Sequence, residues 1–365
     1  MNALASIAAE RLVGVTPYRP GKPPPGSMAG KLSANESGWG PGPRVVSALE
    51  KASRGVGYYP REDSLLAAVT QAYGVAEGSV LVTNGSDELC TLVATVFLGS
   101  DRTCVVGDPC YAIDASASLM SGARVVRVPL LMGAHDLDAM AEAAQAADVV
   151  WLPTPHNPTG VAIPTDALHA FIAKVPQHCL VVVDMAYVDF ADPHYRVAPA
   201  ELLARHPHVL VQKTLSKAQA LAGLRVGLAF AAPEVTAALR SVRLPFSVNS
   251  LGAAAAEAAV REPAWSQMIA ARVREGREAL QCELDRLGVE YLPSQANFVL
   301  AHLDHERLRE PLARHGISVR SGDDLGIPGW TRITVGWSPM MAELRRGLRE
   351  ALSTSTNATT TEGAA

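Results

Sequence analysis

Gln212-Lys213-Thr214-Leu215-Ser216-Lys217-Ala218-Gln219-Ala220-Leu221-Ala222-Gly223-Leu224-Arg225-Val226-Gly227 follows the run His208-Val209-Leu210-Val211, short and β-branched enough to be a buried strand. Two hydroxyls, a lysine and, eight residues later, an arginine share the segment that leaves it, among small and apolar residues. A lysine hemmed in by Ala, Leu and Gly loses solvation, which lowers its pKa and suits it to forming a Schiff base. Thr214, Ser216 and Arg225 are the donors a phosphate monoester wants, Arg225 supplying a planar fork. A reactive lysine beside a phosphate cup is what pyridoxal 5′-phosphate (PLP) needs. The same residues also read as a plain surface loop after a strand, and the stretch alone does not choose.

Working outward, other apolar runs have strand length: Val80–Thr83, Thr103–Val106, Val149–Pro153, Leu180–Val183 and Val226–Phe230. Separated by amphipathic stretches, they predict an α/β large domain with a mostly parallel sheet covered on both faces. Ligands bind such sheets beyond the carboxyl ends of the strands, and the polar motifs of this chain follow its strands. From about Pro245 the pattern changes to a long helix, Ala264 to Leu287, and then to Phe298–Ala301 and Thr331–Val335, a smaller α+β domain. The expected organisation is an arm (1–40), a large domain (41–244), a small domain (245–352) and a disordered Thr- and Ser-rich tail (353–365) with almost nothing to bury.

Each strand exit carries a candidate. Asn84-Gly85-Ser86-Asp87-Glu88 joins a strand to a helix; its free N–H groups suit an anion, though a capped helix with acids in its first turn looks the same. Tyr111, in Asp108-Pro109-Cys110-Tyr111, offers a ring that could stack on a planar cofactor or simply start a helix. Asn157, in Pro155-His156-Asn157-Pro158-Thr159-Gly160, can donate to a phenolate oxygen. Asp184 ends a buried strand, where a carboxylate needs a cation, and a protonated pyridine nitrogen would serve; a metal is the other candidate, but no His or acid cluster accompanies it. Among only six lysines, Lys217 is the Schiff-base candidate and Lys213 its nearby rival. Arg320 and Arg332 lie on strand-like segments, each able to clamp a carboxylate or phosphate or to form an exposed salt bridge.

Taken in this order, the motifs resemble the PLP-dependent aminotransferases of fold type I, and among them the histidinol-phosphate aminotransferase family, from about Val15 to Trp337. The resemblance implies a two-domain fold and a homodimer with active sites between subunits. It makes Lys217 the catalytic lysine and gives the phosphate cup to Gly85, Ser86, Asp87, Thr214, Ser216 and Arg225. Tyr111 would stack on the cofactor, Asn157 and Tyr187 would hold its 3′-oxygen, and Asp184 its ring nitrogen. Tyr59, in Gly57-Tyr58-Tyr59-Pro60, would reach the partner's cofactor phosphate across the interface. Tyr18 and Asn35 of the arm, with Arg320 and Arg332, would meet the substrate, a small amine or amino acid alternating with a 2-oxo acid. The chain departs from the family pattern at Ser37-Gly38-Trp39, which could narrow the lid, and at Arg61, Cys110 and Met185. Those departures leave a PLP-dependent decarboxylase or another specialised enzyme on the same scaffold as the alternative.

Composition agrees with a soluble enzyme: 365 residues, 48% hydrophobic and 19% charged, with a net charge of −4 that gives no footprint for nucleic acid. Five scattered cysteines with no Cys-x-x-Cys suggest neither a zinc site nor a disulfide framework, and point to the cytoplasm. No apolar run approaches a membrane span, and no metal is expected.

Overall fold

The computed structural model describes residues 12–15, 18–24 and 30–353. The expected tail beyond 353, and Pro17, Pro25 and Gly26 of the arm, lie outside the described residues. The first strands are β1 (Val80–Thr83), β2 (Thr103–Asp108), β3 (Arg124–Pro129) and β4 (Val149–Pro153). They are followed by β5 (Leu180–Asp184), β6 (Val209–Thr214) and β7 (Gly227–Phe230). Together they form one sheet in the order β1-β7-β6-β5-β4-β2-β3. Pairing is parallel from β3 through β2, β4 and β5 to β6, and only β7 runs against its two neighbours. Helices connect most of the strands, so the carboxyl ends of β2, β4, β5 and β6 point the same way.

The central strands are apolar on both sides because both sides are covered. In β4, Val150 and Leu152 enter one core while Val149 and Trp151 enter the other; in β5, Val181 and Val183 part from Leu180 and Val182 in the same way. Each fully buried side chain of this kind contributes roughly 1.5–3 kcal/mol. Strand β3 has no counterpart among the sequence expectations. Paired on one side only, it exposes Arg124 and leaves Arg127 half in water, so its valines are interrupted by charge.

The small domain is built on the antiparallel sheet β8 (Phe298–Ala301), β10 (Thr331–Thr334) and β9 (Arg320–Ser321), in that order, with helices Ala264–Arg286, His305–Arg314 and Ser338–Ser353. The strand expected over 316–320 is reduced to Arg320–Ser321, plus an isolated bridge between Lys31 and Ser318. The expected domain boundary at 245 is also corrected. Helix Ser250–Arg261 packs on Pro43–Ala52 and Asp63–Tyr73, and its Ala253, Ala255 and Ala256 join the large-domain core. Its small alanine face lets the helices approach closely, which a change of pattern after Pro245 does not reveal. Leu32 of the arm, by contrast, is buried in the small-domain core.

Candidate active site

Where the carboxyl ends of the parallel strands meet the small domain, a cavity of about 770 Å³ opens. Fourteen of the sixteen site residues expected from the sequence line it; Gly85 and Tyr59 do not.

The two rival lysines are separated by their surroundings. Strand β6 continues through Lys213 and Thr214, so Lys213 sits inside the sheet rather than in a loop. Its Nζ is 3.0 Å from Asp189 Oδ1, and its side chain is 5% exposed. Burial alone would lower its pKa, but Asp189 more than offsets that, and the ammonium is held with its pKa raised. Lys217 projects into the cavity, where among the described residues its Nζ donates only to the Ala34 carbonyl, at 3.2 Å. Burial, reinforced by Arg332, brings its pKa down to about 8. An amine that sheds its proton near neutral pH is a nucleophile; Lys213 is a structural cation.

Asp184 ends β5 nine-tenths buried and accepts the Ala186 N–H at 2.9 Å. Burial raises its carboxyl to about pH 7, and no cationic side chain pairs with it among the described residues. A carboxyl so placed is completed by a cation that arrives with a ligand.

The anion cup forms where two loops touch. Gly85, at φ +77°, precedes helix Ser86–Phe97, and a Cβ there would collide with the Arg225 guanidinium. A Cβ on Gly227 would lie 2.7 Å from Ser86 N, so both glycines are required by close approach. Arg225, itself at φ 55°, holds Asp87 Oδ2 at 3.1 Å, and Asp87 Oδ1 accepts the Tyr111 hydroxyl at 2.9 Å. Asp87 therefore orients the arginine and the ring beside it. Ser86, Thr214 and Ser216 complete the rim.

Asn35, almost fully buried at φ 55°, ties the arm to both domains. Its Nδ2 donates to the Tyr187 hydroxyl at 3.0 Å, its Oδ1 accepts from Thr334 Oγ1 at 3.0 Å, and its carbonyl accepts from Asn297 Nδ2 at 3.1 Å. Asn297 thereby holds the arm. Asn249 is structural: its side chain caps helix Ser250–Arg261 and donates to the Leu224 carbonyl.

Arg332 and Arg320 face each other across the β10–β9 pair. Arg332 is 5% exposed, and its guanidinium donates to Asn157 Oδ1 and, at 3.2 Å, to the Ser33 carbonyl; Nε has no partner among the described residues. Arg320 is equally buried, which overrides the exposed reading, but Asp324 Oδ2 stands 3.6 Å from its Nη1. Asp324, not foreseen from the sequence, belongs to the site.

One further expectation changes, and other departures from the family pattern find their places. Trp39 packs against the small-domain core and does not line the cavity, so it does not narrow a lid. Met185 is buried in the large-domain core. Burial pushes the Cys110 thiol up to about 12, which leaves it unreactive, although it lines the cavity. His156 is fully buried against His135 and bonds Thr159 through Nδ1, behind Asn157 rather than in the cavity. Tyr59 is 78% exposed and stacks on Phe246 at 4.4 Å, with no contact to its own chain's cavity. Among the described residues, no group of three His, Cys, Asp or Glu side chains could hold a metal ion.

A depressed lysine, a buried acid without a cation and a Ser/Thr/Arg cup fit PLP: aldehyde, pyridine nitrogen and phosphate each find a complementary group. The fold and site are those of a PLP-dependent transaminase, and the family model "Aminotransferase class I and II" matches residues 30–348. The chain belongs to that family, and within it to the histidinol-phosphate aminotransferases. Histidinol-phosphate aminotransferase 1 of Dechloromonas aromatica is 35% identical over 361 residues, covering 96% of this chain and 100% of that protein. Histidinol-phosphate aminotransferase 2 of Ralstonia nicotianae is 37% identical over 331 residues, 88% of each chain. The crystal structure of histidinol-phosphate aminotransferase from Sinorhizobium meliloti in complex with pyridoxal-5′-phosphate superposes with a TM-score of 0.86 at 25% identity, covering 94% of this chain and 97% of that one.

Proposed function

We propose that the chain moves an amino group between histidinol phosphate, or a related amine or aromatic amino acid, and a 2-oxo acid such as 2-oxoglutarate. The observation that carries this reading is Lys217, the one lysine at the cavity whose amine is poised to lose its proton near neutrality. Bound PLP supplies an aldehyde that condenses with amines and a ring that takes up the electron pair left when a bond at the substrate α-carbon breaks.

The chain's own residues supply the rest. Lys217 anchors the cofactor and, once freed by the incoming amine, takes the substrate α-proton on Nζ. Asp184 keeps the pyridine nitrogen protonated. Asn157 and Tyr187 would hold the 3′-oxygen, Tyr111 would face the ring, and Gly85, Ser86, Asp87, Thr214, Ser216 and Arg225 would form the phosphate cup. Arg332 and Arg320 take the substrate's anionic end, with Tyr18 and Asn35 closing over it. The working unit is a homodimer in the cytoplasm. Supporting the dimer, Tyr58, Tyr59, Leu244 and Phe246 are all more than half exposed, apolar surface that a second copy would cover, and in that dimer Tyr59 would be the residue reaching the partner's site.

The test is the visible spectrum of the cofactor-loaded protein, before and after L-histidinol phosphate is added without any 2-oxo acid. Loss of the lysine-bound cofactor's band, restored by 2-oxoglutarate, is the expected result. A band unchanged by histidinol phosphate and by every aromatic amino acid tried would overturn the reading.

A further inference from the structure

The anionic end of the substrate has a charge balance that the paired arginines alone do not fix. Arg320 and Arg332 are directly opposed across β9 and β10, so two like charges stand side by side in a buried place, an arrangement that demands anions. Arg332 has only neutral partners among the described residues, the Asn157 and Ser33 oxygens. Arg320 already has a counter-ion. Asp324 stands four residues on, with its Oδ2 3.6 Å away, on the cavity wall.

The turn that carries Asp324 is firmly built. Gly322 N–H donates to the Trp330 carbonyl at 2.7 Å and Ile327 N–H to the Gly322 carbonyl at 2.8 Å. A Cβ on Gly322 would overlap both the Ile327 and Trp330 carbonyls, and Gly326 closes the turn at φ +77°. Neighbouring Asp323 is engaged differently: its Oδ2 accepts from Ser321 Oγ at 3.2 Å.

Among the described residues Asp324 is the one carboxylate in ion-pair range of either guanidinium, so the arginine pair keeps one positive charge without a counter-ion. That matches a carboxylate, whereas a phosphate monoester carries about −1.5 to −2 at neutral pH. We infer that Asp324 is a specificity-determining residue, whose carboxylate restrains the affinity of the arginine pair for phosphate esters relative to carboxylates. The inference rests on the aminotransferase reading of the site and deepens it by dividing the possible donors according to the charge of their anchoring group.

The experiment uses the cofactor-loaded enzyme and its Asp324→Asn and Asp324→Ser variants, with methyl phosphate and acetate as competing anions. Asp324 is 38% exposed, so its effect is that of a half-screened charge. Both variants should lower the inhibition constant of methyl phosphate about fivefold, against less than about twofold for acetate. The KM for L-histidinol phosphate should fall in proportion to the methyl phosphate constant, and Asp323→Asn should have the smaller effect of a carboxylate tied elsewhere. Equal tightening of both anions, or no change in their ratio, would overturn the inference while leaving transamination intact. Loss of all amino transfer by the unmodified enzyme would instead sink the reading beneath it.

Discussion

Replacing Lys217 by methionine should make the cofactor-free protein more stable, even though it removes the reactive amine. The cause is the protonation cost of this site. Unfolded, the amine titrates near 10.5; folded, burial brings it down to about 8. Between those values the unfolded chain binds more protons, so the native lysine contributes stability that rises with pH across this window and is withheld below it. Integrating the two titrations puts the penalty at about 3 kcal/mol at pH 7, about 2 at pH 9 and under about 1 at pH 10. The cavity mouth admits water to the amine, so about 2 kcal/mol is the figure to expect at pH 7. Methionine keeps the length of the stem and gives up the donation to Ala34 and the ammonium's place over the Tyr187 ring, 5.6 Å from its centroid. Urea unfolding of both cofactor-free proteins, at one protein concentration and a series of pH values, isolates the difference because all other groups cancel. A variant no more stable than the parent at pH 7, or an advantage that grows toward pH 10, would refute the account.

Lys213→Ala should do the opposite. It strands Asp189, costing about 2–3 kcal/mol in the same unfolding assay, while the cofactor's lysine-bound band persists on Lys217. Arg225→Ala should loosen the cofactor at least about tenfold by equilibrium dialysis, since it removes a phosphate donor and frees Asp87 from its ion pair. Asp184→Asn should lower kcat by at least about a hundredfold with only modest change in KM for the amino donor, because the amide cannot hold a proton on the ring nitrogen. Because burial holds the Asp184 carboxyl at about 7, the parent without cofactor should lose stability relative to that variant as pH rises from about 4 to 7, and hold a constant deficit above.

The large sheet was legible because β4 and β5 are built on unbroken apolar runs of strand length, and no other element of that length buries such runs on both faces. β3 was not, because an edge strand can afford arginines. Lys217 was singled out as the Schiff-base candidate by its spacing to Arg225, but its contrast with Lys213 was not legible. That contrast depends on Asp189, whose approach only the folded chain brings about. Asp324 was hidden for the same reason: an acid four residues from an arginine is commonplace on a surface, and becomes part of the site only when a tight turn brings it onto the cavity wall beside a buried guanidinium. Helix Ser250–Arg261 was misassigned because alanines carry little pattern to say which core they face.

The contacts of Asn35 also constrain the order in which a newly made chain can finish its site. Its partners are 152, 262 and 299 residues further along the sequence, at Tyr187, Asn297 and Thr334. The strands of the large sheet through β7 are complete once residue 230 has been made, and that sheet can assemble while synthesis continues. The arm cannot be seated until Thr334 emerges from the ribosome. A chain interrupted anywhere between those points would carry the lysine and the whole anion cup, but not the Thr334 hydroxyl that helps to seat Asn35 and the arm. The segment that carries Asn297 and Thr334 therefore decides when the enzyme first becomes competent.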